Sequence, residues 1–359
     1  MTSPLRLSEY EYDLPKELIA QHPADRRDES RLLVVDREAG ALAHRRFRDI
    51  VEHLRAGDVL VLNDTKVLRA RLLGRRATGG RVEALLLREL VETPRWGVSA
   101  EAGIWEALFK PGGRLRRGEI VEFENGAVRG EMIEPQGEGV WRARLEAQGG
   151  LRRALETVGR VPLPPYITRD ESADPTADVE RYQTVYARRP GAAAAPTAGL
   201  HFTTELLAEI QRRGVGLAYI TLHVGLGTFK PIAVEDVTQH KMHSEWFEIS
   251  ETAASQINAA RAQGGRIVAV GTTSCRVLET VAKQESALTP LYGTTDIFIH
   301  PPYRFRLTDA LITNFHLPRT TLLLLVCAFA GRELVLRAYN EAIHERYRFY
   351  SYGDAMLIL

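Results

Sequence analysis

Cysteine is scarce in this chain, and long apolar runs are missing. Only two of the 359 residues are cysteines, Cys275 and Cys327, and neither belongs to a CxxC pair. This excludes a disulfide framework and a zinc ribbon, and it indicates a reducing compartment. The longest apolar run, Leu322–Ala330, falls far short of the ~20 residues that a membrane-spanning helix needs. It predicts a buried helix instead.

An excess of charge of either sign is also missing. The sequence has 47 Lys and Arg against 46 Asp and Glu, which gives a net charge of +1. A globally basic nucleic-acid-binding protein is therefore not indicated, and a polyanion would have to meet local basic patches. The first residues, Met1 to Glu11, lack the apolar segment of a signal peptide. We expect a cytoplasmic protein, a monomer or a weak oligomer, that does not bind membranes.

The pattern of predicted elements divides the chain into two parts. The length corresponds to roughly two domains of about 150 residues each. After a predicted buried strand at Val59–Leu62, residues 64–148 show short strand-like runs separated by turn signals, without a convincing helix. Asn125-Gly126 indicates a two-residue hairpin turn, because both residues tolerate positive φ. We therefore predict an inserted all-β domain at 64–148, a small barrel or a sandwich.

Helices return after residue 149. Thr203 and Ser250 are each predicted to cap a helix, and a strand is expected between them at Leu217–Leu222. Residues 169–196 are rich in Asp, Pro and Ala, and they predict a long exposed connection or lid. The alternation of helices and strands implies a layered α/β domain. It is formed by residues 1–63 and 149–359.

Two loops that follow predicted strands could bind a ligand. Gly225-Leu226-Gly227 is followed by Phe229-Lys230-Pro231 instead of a helix, so a dinucleotide fingerprint is not indicated. These glycines indicate either a tight turn or a close approach of the backbone to a ligand. Thr272-Thr273-Ser274 opens a predicted helix, whose free N–H groups could hold an anion. Simple capping by a hydroxyl is an equally good interpretation.

Ionisable residues cluster in the C-terminal half. His240, His243 and Glu245 lie within six residues, which favours a polar catalytic or binding cluster over a metal site, because further ligands are lacking. A hydrogen-bonded surface histidine pair is the structural alternative. His316 lies in a polar loop before the apolar helix, and Asp354 follows four aromatic residues. The structural alternative for His316 is a capping turn in which it satisfies buried backbone groups. The segment with Asp354, on its own, favours core packing with one satisfied carboxylate.

Basic residues form two runs inside the predicted β domain. A solvated surface is the usual location of such runs, but the two together predict a phosphate-contacting face. The candidates are Lys66, Arg69, Arg71, Lys110, Arg114 and Arg116.

Several motifs spread over nearly the whole chain occur in a specific order. The first half contains Tyr12-Asp13-Leu14-Pro15, Asn63-Asp64-Thr65-Lys66-Val67 and Pro162-Leu163-Pro164-Pro165-Tyr166-Ile167. The second half contains Ala195–Thr203, Thr221–Phe229, His243-Ser244-Glu245, Gly271–Ser274, Thr313–Pro318 and Tyr350–Met356. In these motifs the sequence resembles the S-adenosylmethionine:tRNA ribosyltransferase-isomerases of queuosine biosynthesis, the QueA family.

The resemblance implies a layered α/β main domain with an inserted small all-β barrel domain. It also implies transfer and isomerisation of the ribosyl group of S-adenosylmethionine to 7-aminomethyl-7-deazaguanine at the tRNA wobble position. The products would be epoxyqueuosine-tRNA, adenine and methionine. The partners would be tRNA and S-adenosylmethionine, the latter as a co-substrate, with no prosthetic group and no metal.

This chemistry needs two bases and one acid: a base for the carbon beside the sulfonium, an acid for the leaving adenine, and a base for the attacking amine. Histidine suits all three tasks near neutral pH. The catalytic candidates, which we expect to converge on one cleft, are His201, His223, His243, Glu245, His316 and Asp354. The candidates for binding S-adenosylmethionine are Gly225, Gly227, Thr272, Thr273 and Ser274.

Two functions of other classes stay open at this point. The basic β domain alone would allow a non-catalytic RNA-binding protein, and His240 with His243 would allow a metal-dependent hydrolase. The many ionisable groups in the α/β motifs favour the transferase over both.

Overall fold

A mixed β-sheet forms the centre of the larger part of the molecule. The computed structural model describes residues 5–90, 101–169, 175–225, 232–282 and 287–359. Four central strands run parallel, so their carboxyl ends meet at one edge of the sheet. In spatial order the strands are Leu291–Thr295 (β15), Glu245–Ile249 (β13), Gly216–Leu222 (β12), Val59–Asn63 (β3), Ile267–Val270 (β14), Ala310–Asn314 (β16), Ala355–Ile358 (β17), Arg31–Val35 (β1) and Leu42–Arg46 (β2).

Helices cover both faces of this sheet, which makes the domain layered. The α-helices in the described part of the chain are Leu151–Val158 (α1), Pro175–Arg181 (α2), Thr204–Arg212 (α3), Glu251–Ala262 (α4), Gly271–Val281 (α5), Thr321–Ala330 (α6) and Arg332–His344 (α7), of which α3 to α7 pack on the sheet. Apolar side chains of α4, α5, α6 and α7 share one core, and those of α3 pack in a second core with the 3-10 helix Phe47–Glu52. The predicted α/β fold class is confirmed.

Local sequence signals predicted the N-termini of two helices correctly. The Thr203 hydroxyl accepts the Leu206 N–H at 3.1 Å, and Ser250 accepts the Ala253 N–H at 3.2 Å. Both predicted caps are therefore confirmed. The apolar run predicted as a buried helix is α6. In the part of the chain that the structure describes, no helix is both long enough and apolar enough to cross a membrane.

A closed antiparallel barrel forms the second part of the molecule. Its inner side chains alternate with outer ones, and Phe109, Phe123 and Met132 are fully enclosed. The predicted barrel is thereby confirmed as an architecture. Its strands are Arg71–Arg76 (β5), Arg81–Glu89 (β6), Ala102–Lys110 (β7), Ile120–Phe123 (β8), Val128–Gly137 (β9) and Val140–Glu146 (β10).

The connections between the two parts lie at both ends of the barrel sequence. Before the barrel, Thr65–Val67 (β4) pairs in parallel with Arg189–Ala192 (β11). After it, Leu151 and Leu155 of α1 pack into the barrel core. The division of the chain at residues 64 and 148 stays a prediction.

Two details of the sequence interpretation are wrong. Strands β8 and β9 are joined by four residues, because Phe123 pairs with Val128, so Asn125-Gly126 is not a two-residue turn. Glu124 also has a positive φ of 48°, and its carboxylate accepts the Leu73 N–H at 2.8 Å, which ties the longer loop to the neighbouring strand.

The second wrong detail is the exposure predicted for the segment at 169–196, of which residues 170–174 lie outside the described part of the chain. Tyr182 and Tyr186 are buried, as are Ala192, Ala193, Ala194 and Ala195. Strand β11 lies between the barrel linker and the carboxyl edge of the large sheet, and small alanine side chains fit this narrow space. An Ala-rich composition therefore marked close packing here and not solvation.

Candidate active site

A cleft of about 1620 Å³ lies between the barrel and the large sheet. The barrel and the connection that leads into it contribute charged side chains such as Lys110 and Arg69, and the loop at residues 162–169 closes one side. The opposite wall is formed by residues that directly follow β12 and by the start of β13. The predicted catalytic residues that line it are His223, His243 and Glu245.

His223 follows β12 and is held tightly in the cleft wall. Its ring stacks on Trp246 with a centroid distance of 4.9 Å and an interplanar angle of 19°. A hydrogen bond of 2.8 Å joins its Nδ1 to Oγ1 of Thr65. Burial lowers the pKa of His223 to about 4, with a smaller contribution from Arg189. The imidazole is therefore neutral at pH 7 and able to accept a proton.

Glu245 begins β13 and forms a buried ion pair. One carboxylate oxygen accepts the Gly225 N–H at 2.9 Å, and the other pairs with the guanidinium of Arg276 on α5. Both side chains of the pair are at most 5% exposed. The carboxylate thus ties the loop after His223 to α5. This geometry favours a role of Glu245 in holding Gly225 at the cleft over a role in facing the sulfonium.

Removing one partner of this pair is expected to be costly for folding. We expect Arg276→Met to lower the free energy of unfolding by about 3–5 kcal/mol, because Glu245 would be left buried without a compensating charge. Urea unfolding measures the change. The matched control is Arg213→Met, since Arg213 pairs with Glu209 while 48% exposed and should contribute about 0–1 kcal/mol. A loss for Arg276→Met no larger than that of the control would contradict the prediction.

His201 lies in a different part of the molecule. It is buried in the 3-10 helix Thr197–His201, with Nδ1 2.6 Å from Ser30 Oγ and Nε2 3.2 Å from Asn314 Nδ2. Its ring stacks on Phe47 at 4.9 Å. Burial lowers its pKa to about 3, and Arg348 and Arg27 add to the effect.

His316 and Asp354 are also held by the protein itself. His316 Nε2 lies 2.8 Å from Thr313 Oγ1, and burial lowers the pKa of His316 to about 3. Asp354 is 2% exposed and accepts the backbone N–H groups of Arg31 at 2.9 Å and Arg348 at 2.8 Å. Its carboxylate joins β1 to the segment before β17.

The predicted convergence of all six catalytic candidates is wrong. His223 follows β12, whereas His316 follows β16, and two strands separate them in the sheet. Neighbouring strands are about 4.8 Å apart, so these positions differ by roughly 14 Å along the edge. His201 forms a hydrogen bond with the end of β16, and Asp354 precedes β17, so both lie on the side of His316 and away from His223. Catalytic roles for these three residues stay predictions.

The candidates for binding S-adenosylmethionine are likewise divided. Gly225 lines the cleft, and Gly227 lies outside the described residues. Thr272, Thr273 and Ser274 are buried in the first turns of α5 and are not among the cleft-lining residues. None of them is the N-cap, because α5 begins at Gly271 after Val270, so the simple capping interpretation is wrong. Anion binding at this helix end stays a prediction.

The basic candidates fall into two groups. Arg69, Arg71 and Lys110 line the cleft, and Arg71 pairs with Glu83 at 2.9 Å. Lys66, Arg114 and Arg116 are exposed outside the cleft lining. Four further arginines line the cleft outside the two basic runs that the sequence analysis selected, and each pairs with a carboxylate. They are Arg88, Arg152, Arg169 and Arg189.

A metal centre has no donor set in the described part of the chain. Among those residues no group of three or more His, Cys, Asp or Glu side chains could hold a metal ion. His240 packs edge-on against Phe298 at 5.3 Å, and burial lowers its pKa. His243 is exposed at the cleft.

Comparison with known proteins gives consistent matches over the full length. The sequence model of a family described as queuosine biosynthesis protein matches residues 7–358. An S-adenosylmethionine:tRNA ribosyltransferase-isomerase of Acetivibrio thermocellus is 52% identical over 99% of this chain and 100% of its own. One of Symbiobacterium thermophilum is 55% identical with the same coverage. The crystal structure of an S-adenosylmethionine tRNA ribosyltransferase from Thermotoga maritima is similar with a TM-score of 0.55 and 38% identity. It covers 98% of this chain and 100% of that one.

Proposed function

Because this chain belongs to the queuosine biosynthesis protein family, we propose that it is an S-adenosylmethionine:tRNA ribosyltransferase-isomerase. The acceptor is 7-aminomethyl-7-deazaguanine at the wobble position of tRNA. The products are epoxyqueuosine-tRNA, adenine and methionine. The observation that carries the proposal is the identity of about half of all residues over the full length with relatives of that name.

The cleft supplies groups that suit this reaction. The sulfonium of S-adenosylmethionine acidifies the adjacent 5′ carbon, and a neutral imidazole is a suitable base for that proton. His223 is neutral at pH 7 and lines the cleft, so we assign it this role. His243 is exposed in the same cleft, where it can exchange a proton with the leaving adenine or with the attacking amine.

The reaction itself is tested with S-adenosylmethionine and tRNA carrying the modified base. We expect stoichiometric release of adenine and methionine, and epoxyqueuosine in the digested tRNA by mass spectrometry. The same tRNA with guanine at the wobble position is the control. Binding of tRNA without release of adenine would favour a non-catalytic RNA-binding protein. Loss of activity with a chelator would favour the metal-dependent alternative.

The basic residues of the barrel should determine the salt dependence of tRNA binding. We expect the double variant with Arg69→Ala and Lys110→Ala to bind tRNA more weakly. The slope of the logarithm of the binding constant against the logarithm of the salt concentration should be shallower by about two, or one for each lost phosphate contact. The same measurement on Arg114→Ala with Arg116→Ala shows whether the exposed pair takes part.

A control for this measurement is Arg212→Ala on α3, whose side chain is 73% exposed and pairs with Glu209. Its slope should equal that of the wild type. Unchanged slopes for both barrel variants would place the tRNA elsewhere, with the rim of the α/β domain as the next candidate.

A further inference from the structure

The end of β3 holds the end of β12 through side chains. Asn63 Nδ2 donates to the Leu222 carbonyl at 3.0 Å, and Asn63 Oδ1 accepts the Leu222 N–H at 3.0 Å. The next residue, Asp64, accepts a hydrogen bond of 2.7 Å from the Thr221 hydroxyl. Asn63 and Asp64 are buried, so water does not compete for these bonds. The backbone that leads into His223 is fixed by both.

Thr65 continues this pattern onto the imidazole. It is fully buried, its N–H donates to Asn63 Oδ1 at 3.2 Å, and its hydroxyl oxygen lies 2.8 Å from His223 Nδ1. Three consecutive residues, Asn63, Asp64 and Thr65, thus contact three consecutive residues, 221–223. We call Asn63, Asp64 and Thr65 the NDT clamp.

The opposite edge of the His223 ring faces Gly191. A Cβ atom at residue 191 would lie 2.5 Å from both Nε2 and Cε1, so only a residue without a side chain fits against this edge of the ring. Among the described residues no group forms a hydrogen bond with Nε2. Nδ1, by contrast, has the Thr65 oxygen within bonding distance. A neutral imidazole carries one ring proton, and the Thr65 hydroxyl can either accept that proton from Nδ1 or donate its own to an unprotonated Nδ1.

We propose that Thr65 is a positioning residue that accepts the Nδ1–H of His223 and thereby keeps the unprotonated Nε2 directed to the cleft. This inference rests on the proposed function, in which His223 accepts a proton from the substrate. It assigns a role to the NDT clamp, which belongs to neither the tRNA-binding nor the proton-transfer residues. Without the hydroxyl, the ring can take the other tautomer, and Nε2 is then protonated and cannot act as a base.

The tautomer is measured first, without turnover. Selective ¹⁵N labelling of histidine, with His223→Gln to assign the signals, reports which ring nitrogen is protonated. We expect the Nδ1–H tautomer in the wild type and in Thr65→Ser, and a mixture or the Nε2–H tautomer in Thr65→Val. The Nε2–H tautomer in the wild type would overturn the proposal whether or not the protein releases adenine.

Kinetics provide the second measurement. A positioned proton-transfer group contributes about 10²–10⁴-fold, so we expect Thr65→Val to lower kcat by about tenfold or more, with KM for S-adenosylmethionine changed less than about twofold. Thr65→Ser should recover most of kcat because it keeps the hydroxyl. The control is Thr308→Val. The buried Thr308 hydroxyl donates to Glu279 over 2.9 Å, and neither residue lines the cleft, so kcat per folded protein should be unchanged in this variant.

The two failures can be told apart. If the wild type releases no adenine but shows the Nδ1–H tautomer, the proposed function fails while the structural role of Thr65 stands. If the wild type is active and Thr65→Val keeps kcat within twofold, the positioning role is wrong. If Thr65→Val does not fold, the tautomer of the wild type still tests the positioning role. The comparison of kcat between Thr65→Ser and the wild type tests it as well.

Discussion

Replacing His223 by glutamine is expected to lower kcat by about 10²–10⁴-fold, the usual contribution of a proton-transfer group. Glutamine keeps a polar group near Thr65 but cannot accept a proton from carbon. Release of adenine at saturating S-adenosylmethionine and tRNA measures kcat, and thermal unfolding shows whether the variant is folded. The control is His344→Gln at the end of α7, where the side chain is 80% exposed.

The pH dependence adds a second criterion. The pKa of His223 is about 4 because the ring is buried, so its lone pair is available above that value. The part of the kcat profile that depends on this base should be flat from neutral pH to about pH 5, and should fall as pH decreases through 4. If His223→Gln retained more than a third of the wild-type turnover, the base would lie elsewhere. His243, which lines the same cleft, would then be tested next.

Local sequence signals predicted much of the fold. Caps at Thr203 and Ser250, the apolar helix α6 and the short strands of the barrel each depend on neighbouring residues, which the sequence shows directly. The hairpin at Asn125-Gly126 failed for the opposite reason. Glu124 bonds to Leu73, which lies about fifty positions earlier, and this long-range contact lengthened the loop.

The candidate site was predictable only in part. A histidine after a strand end was a sound signal for His223, but the order of strands in the sheet decides which strand ends are neighbours. The sequence does not state that order, so His316 was assigned to the same cleft although two strands intervene. The partners of the cleft residues were missed as well, because Thr65 and Arg276 contact His223 and Glu245 across the fold.

The buried histidines His201 and His316, together with the half-buried His223, predict a steep loss of stability in acid. His201 and His316 have a pKa of about 3 and His223 one of about 4, each lowered by burial, against about 6.5 in the unfolded chain. Between pH 6.5 and 4 the unfolded state therefore binds more protons than the native state at all three rings. The free energy of unfolding then decreases as pH decreases, by about 1.4 kcal/mol per pH unit for each ring near pH 5.

Urea unfolding at several pH values between 5 and 7 tests this dependence. We expect the double variant with His201→Gln and His316→Gln to lose about 3 kcal/mol per pH unit of slope near pH 5, since each replacement removes one proton from the balance. Lower stability at pH 7 is also expected, because both rings are packed and hydrogen-bonded. The slope, and not the absolute stability, is therefore the measured quantity.

His344→Gln is again the control, and its slope should equal that of the wild type. An unchanged slope in the double variant would mean that both rings already bind protons in the native state. Such rings could act as acids near neutral pH, and the catalytic roles predicted for His201 and His316 would then gain support.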